Sequence, residues 1–63
     1  MINEDYAVKR LNKINKKNEL TKEYSLGDVL RLIKYEKILI EEYNFTRKQV
    51  EALSPSYYKA QTP

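Results

Sequence analysis

Glu36 sits in the run LRLIKYEKILIEEY (residues 30–43), where its helical neighbours are Leu32, Ile33, Leu39 and Ile40. A carboxyl group in such company could serve as an acid of raised pKa or set register at a helical interface. It could also reach outward, or pair with a Lys of the preceding helix. Glu41 and Glu42 are adjacent and so point in different directions on a helix; they form no catalytic pair and read as a solvated face. The chain of 63 residues has no His and no Cys, which removes thiol nucleophiles, disulfides and the usual zinc sites. It also lacks a Gly-rich phosphate loop and an acidic cluster with metal-ligand spacing. The expectation is a protein that is not an enzyme, with no cofactor, no metal site and no small-molecule substrate.

Lys9, Arg10, Lys13, Lys16 and Lys17 gather on one arc of a helix and could track a phosphate backbone. Such runs are more often the solvated side of an amphipathic helix. Only Arg10 among them could grip a base edge with two parallel hydrogen bonds, and no aromatic side chain is interleaved. The formal net charge of +3 permits nucleic-acid contact without demanding it. Six Tyr and one Phe are a heavy aromatic load for this length. They cannot all enter a small core, and Tyr is favoured where one protein binds another.

The elements that must position these residues are helices. One Gly and two Pro give few breaks, and no strand-like alternation runs for any length. A first helix over about 4–22 is expected to start after Asn3 as N-cap, with Glu4 and Asp5 in its first turn and Ala7, Leu11 and Ile14 as a narrow apolar seam. A second, over 26–43, starts after Ser25, with Asp28 completing a variant of the capping box. Thr46 and Gln49 predict a third helix over 47–53, with Phe45 and Val50 as a hydrophobic staple. Ser54 and Pro55 can then cap one last turn over 55–60, before a frayed tail at 61–63. The fold class is all-α, a single domain over residues 1–63 built as an antiparallel two-helix hairpin with a short third C-terminal helix.

On the second helix, Leu26, Val29, Leu30, Leu32, Ile33, Leu39, Ile40 and Tyr43 spread over about half the circumference. One neighbouring helix with a narrow seam cannot cover so much. Tyr35 and Ile38 fall outside that arc and are the easiest residues to assign to a partner. The expected partner-binding residues are therefore Tyr35, Glu36, Ile38, Leu39, Tyr43, Phe45, Tyr57 and Tyr58.

Two local resemblances accompany this reading. TRKQVEALSPSYYKAQ (46–61) is similar to a helix-turn-helix, with a Thr-capped first helix and a Val-x-x-Leu pattern, although its turn, Ser54-Pro55, holds no Gly. VLRLIKYEKILIEEY looks like the second helix of the small aspartyl-phosphate phosphatases that regulate sporulation, at Val29, Leu30, Leu32, Leu39, Ile40 and Tyr43. That family's signature Ser-Gln-Glu-Leu-Asp corresponds here to Ile33-Lys34-Tyr35-Glu36-Lys37, with Lys37 in place of its acidic residue. The second resemblance implies a helical hairpin that binds another protein.

No run approaches the roughly 18 apolar residues of a membrane span, and the opening MINEDYAVKR is too polar for a signal peptide. A cytoplasmic location is expected, with no membrane partner. The Lys-, Asn-, Ile- and Tyr-rich composition suits AT-rich codons, as in a low-GC bacterium or its phage. The expected function is that of a small helical protein-interaction module, a regulator or inhibitor of a larger host protein, encoded by a phage or plasmid. Self-association is the second form of that reading. The competing class is a nucleic-acid-binding regulator using the basic first helix or the segment 46–61.

Overall fold

The helix starts follow from side chains that satisfy the free amides of each first turn. Asn3 Oδ1 accepts from the Tyr6 amide at 2.7 Å and opens α1, Glu4–Asn18. Ser25 Oγ accepts from the Asp28 amide at 3.2 Å and opens α2, Leu26–Tyr43. Thr46 and Gln49 form the reciprocal capping box that opens α3, Arg47–Leu53, with Gln49 N to Thr46 Oγ1 at 3.2 Å and Thr46 N to Gln49 Oε1 at 2.8 Å. The computed structural model describes residues 2–21 and 23–61, and among them there is no strand.

Three boundaries differ from the sequence expectation. The first helix stops at Asn18 and does not run on towards 22, a residue outside those described. Asn18 is buried; its amide group donates to the Ile14 carbonyl at 2.9 Å and to Asp28 Oδ2 at 3.2 Å, and the chain turns over Glu19–Thr21. Asp28 in turn does not complete a capping box with Ser25. Its carboxylate faces Asn18, Lys17 Nζ at 3.3 Å and Arg31 Nη1 at 3.4 Å. Lastly, the expected last turn is a full fourth helix, α4, Pro55–Gln61, so the C-terminal part is two short helices separated by Ser54. The tail expected to fray from 61 begins inside that helix, and residues 62 and 63 lie outside those described.

α1 and α2 form the antiparallel hairpin. The Asn18–Asp28 pair joins the end of α1 to the start of α2, and at the other end the Tyr43 hydroxyl donates to the Ile2 carbonyl at 2.9 Å. α2 ends on Asn44 in the left-handed conformation (φ 60°, ψ 28°), and the Phe45 amide closes back on the Leu39 carbonyl at 3.0 Å. This is a Schellman closure, at a residue type that tolerates positive φ. It reverses the chain so that α3 packs on both long helices. α4 is fixed to α1 through Ser56, whose amide and hydroxyl both donate to Asn15 Oδ1, at 2.9 and 2.7 Å.

The core consists of Ala7, Leu11, Leu32, Tyr35, Leu39 and Val50, with Ile14 also buried. One core residue and one beside the core correct the sequence reading. Tyr35 is 6% exposed, with the Tyr6 ring edge-on at 6.1 Å, and Ile38 is half-buried against the same cluster. The inward face of α2 carries Asp28, Leu32, Tyr35, Glu36 and Leu39, so it is rotated by roughly a quarter turn from the centre of the apolar arc. Leu26, Leu30 and Ile33 stay outside, 76%, 58% and 52% exposed.

Replacing Thr46 with Ala is expected to lower stability by about 1 kcal/mol, because an amide of the first turn of α3 loses its acceptor. Thermal or urea unfolding checks this, and an unchanged midpoint would mean that the box contributes nothing.

Candidate functional site

The rotation of α2 places Glu36 under the C-terminal helices, and the capping box at Thr46 directs Arg47, the first residue of α3, towards it. Arg47 Nη1 lies 3.3 Å from Glu36 Oε1, and Arg47 Nε lies 3.2 Å from Glu51 Oε2 one turn along. Pro55 starts α4 so that Tyr58 falls at the end of its first turn, aimed at the same carboxylate. The Tyr58 hydroxyl donates to Glu36 with its oxygen 2.7 and 2.6 Å from the two carboxylate oxygens, and it accepts from Arg47 Nη2 at 3.0 Å. The guanidinium also lies 5.6 Å from the Tyr58 ring centre.

These residues form one wall of an open groove of about 550 Å³, lined by Leu32, Ile33, Glu36, Lys37, Ile40, Glu41, Arg47, Tyr57 and Tyr58. α2 supplies the apolar side through Ile33 and Ile40, and α4 faces it with the two Tyr. Tyr57 is held edge-on by Tyr24 at 5.0 Å and by Tyr58 at 5.1 Å. Ile33, on the groove wall, also belongs to the exposed stripe that it forms with Leu26 and Leu30.

Burial pushes the Glu36 carboxyl above its ordinary value of 4.5, and the Tyr58 hydroxyl and the Arg47 guanidinium oppose that shift only in part. Burial and the neighbouring carboxylate also push the Tyr58 hydroxyl upward, which keeps it a donor. Asp28 behaves in the opposite way: the Asn18 hydrogen bond holds it below its ordinary value against the effect of burial, and Lys17 and Arg31 add to the lowering. Glu36 therefore pairs within the chain, but with α3 and α4 and not with a Lys of α1.

The residues expected to bind a partner divide into two groups. Glu36, Tyr57 and Tyr58 line the groove. Leu39 is fully buried and Tyr35 nearly so, while Ile38, Tyr43 and Phe45 are half-buried against the core, so none of these five forms part of that wall. Leu26, Leu30, Ile33, Lys37, Ile40 and Arg47 were not singled out, although the four-three-four-three spacing of 26, 30, 33, 37 and 40 was legible in the sequence as one stripe along a helix.

The basic residues of α1 also separate. Lys9, Lys13 and Lys16 are exposed opposite the core seam, Arg10 is half-buried, and Lys17 pairs with Asp28. In the helix-turn-helix-like segment, α4 is seven residues long and turns Ser56 and Tyr58 inward onto Asn15 and Glu36. Among the described residues no group of three or more His, Cys, Asp or Glu could hold a metal ion, and no helix is long and apolar enough to cross a membrane. Comparison with known protein families, curated protein sequences and solved structures gives no match to this chain.

A raised Glu36 means that the folded chain binds this proton more tightly than the unfolded chain. Its contribution to stability therefore falls as pH rises from 4.5 through the raised value, and returns on acidification. Glu36→Gln removes that titration and keeps an acceptor for Tyr58. The stability difference between variant and parent is expected to move in the parent's favour as pH is lowered from about 7 to about 5. Urea unfolding at several pH values measures it, and a difference independent of pH would contradict the raised value.

Proposed function

We propose that this chain is a small protein-interaction module that docks the outward face of α2, and the groove beside it, onto a larger protein. Its role on that reading is to regulate or inhibit the protein it binds, in the cytoplasm of a low-GC bacterium, as the product of a phage or plasmid. The observation that carries the proposal is the alignment of Leu26, Leu30 and Ile33 on one exposed stripe while two carboxylates, Asp28 and Glu36, occupy the inward face of the same helix. Fully burying a Leu or Ile side chain is worth roughly 1.5–3 kcal/mol, and most of that remains unrealised at these positions. A partner that covers the stripe recovers it. The groove offers a recess in which one large side chain of the partner can sit between Ile33, Ile40 and Tyr57.

Binding fits the groove better than catalysis. Glu36 is already held by a Tyr and an Arg, and the arrangement ties three helices together at the groove wall. The competing reading, contact with a nucleic-acid backbone, draws on Lys9, Lys13 and Lys16 on the outer face of α1. It predicts affinity that falls steeply with salt and is no tighter than about micromolar at physiological salt, as non-specific contacts are.

Replacing Leu26, Leu30 and Ile33 together with Ser is expected to leave the helical circular dichroism in place, since exposed substitutions usually change stability by about 0.5 kcal/mol or less each. The same change should reduce the binding of a hydrophobic dye. A photo-crosslinking residue at position 33 should capture a discrete protein in the producing cell, and one at position 12, on the outer side of α1, should not. Adducts from position 12 alone, or dye binding untouched by the triple change, count against the docking face.

A further inference from the structure

The occupant of this face can be narrowed by shape and charge, and the narrowing rests on the reading of α2 as the docking face. We infer that it is an amphipathic helix of a partner protein whose apolar stripe is bordered by acidic side chains. Leu26, Leu30, Ile33 and Ile40 follow one line along α2, with Lys37 in the same line between the last two. At 1.5 Å per residue that line is about 20 Å long, and it suits a helix laid alongside with its own apolar residues at three- and four-residue spacing. No strand edge exists among the described residues for an extended peptide to join. The recess beside Ile33 and Ile40 is the place for one bulky anchor of the incoming helix.

The charge beside the stripe is what selects the partner. Asp28 and Glu36 are both turned inward, at 3% exposure each, and both already face cations of this chain. From Leu26 to Lys37, the exposed charged side chains of α2 are then Arg31, which pairs with Asp28, and Lys34 and Lys37, all positive. Glu41 is the exposed acid beside the stripe, at its far end past Ile40. A helix with Glu or Asp flanking its apolar line would meet these cations across the contact. A second copy of this chain would bring an identical positive rim, and like charges so placed oppose docking.

A display library tests the inference on the full chain. Each member is an 18-residue helix-forming peptide with large apolar residues on one line, and with Glu, Lys and Gln mixed freely at the flanking positions. Selection at physiological salt is expected to enrich Glu at the flanks. The selected peptide should bind about ten-fold or more weakly to Lys34→Glu/Lys37→Glu, and that variant, selected on the same library, should enrich Lys instead. Binding should also be lost with Leu30→Ser/Ile33→Ser. Recovered peptides with neutral or basic flanks, lost with Leu30→Ser/Ile33→Ser but indifferent to the charge reversal, overturn the acidic partner and leave the docking face standing. Absence of any peptide sensitive to Leu30→Ser/Ile33→Ser overturns both. Two further results replace the occupant and so overturn the inference. One is a dimer in sedimentation velocity that Leu30→Ser/Ile33→Ser dissociates. The other is tighter binding to vesicles of phosphatidylcholine with 30% phosphatidylserine than to any selected peptide, lost in the same variant.

Discussion

A carboxylate taken out of water must be met by donors, and in this chain that requirement organises the C-terminal half of the fold. Glu36 is 3% exposed, and its donors come from two other helices: the guanidinium of Arg47 at the start of α3 and the hydroxyl of Tyr58 on α4. α4 packs on α1 and α3, and it is the Tyr58 side chain that reaches across to α2. The network therefore spaces α4 from α2 as well as tying it there, and the groove is the space that results. The raised Glu36 shows that the donors do not fully offset the loss of water. Only one side of the ion pair is buried: the Arg47 side chain is 58% exposed and keeps contact with water.

The same requirement acts at the other end of the hairpin. Asp28 is met by Asn18, Lys17 and Arg31, and Asn18 in being so used brings α1 to its end. With Asp28 and Glu36 on the inward face together with Leu32, Tyr35 and Leu39, the rotation of α2 about its axis is decided. Leu26, Leu30 and Ile33 are then left outside as a consequence. The positive rim is a second consequence of the same rotation, because burying these two acids leaves Arg31, Lys34 and Lys37 on the surface. Apolar stripe, positive rim and groove thus share one cause.

The local signals in the sequence were strong, and they concern neighbours in the chain. Asn3, Ser25 and Thr46 were legible as N-caps because a cap is a contact over three residues, and the reciprocal pair of Thr46 and Gln49 is the clearest instance. The seam of Ala7, Leu11 and Ile14 was legible because periodicity alone identifies the inward face of a helix whose apolar arc is narrow. On α2 the arc was wide. Any orientation would leave some Leu or Ile uncovered, and summed hydrophobicity does not say which. Tyr35 read as peripheral for that reason, yet its ring is in the core beside Tyr6.

What the sequence by itself determined is an all-α chain with its helix starts in place, a hairpin of two long helices, and more apolar surface than the hairpin could bury. Which part of that surface faces outward was decided only by the tertiary structure. The donors that make Asp28 and Glu36 tolerable inside lie 10, 11 and 22 residues away from them, at Asn18, Arg47 and Tyr58. A helical pattern cannot report such distant hydrogen bonds. They nevertheless go with the angle at which α2 meets its neighbours: with those donors in place Asp28 and Glu36 can sit inside, and Leu26, Leu30 and Ile33 stay in water.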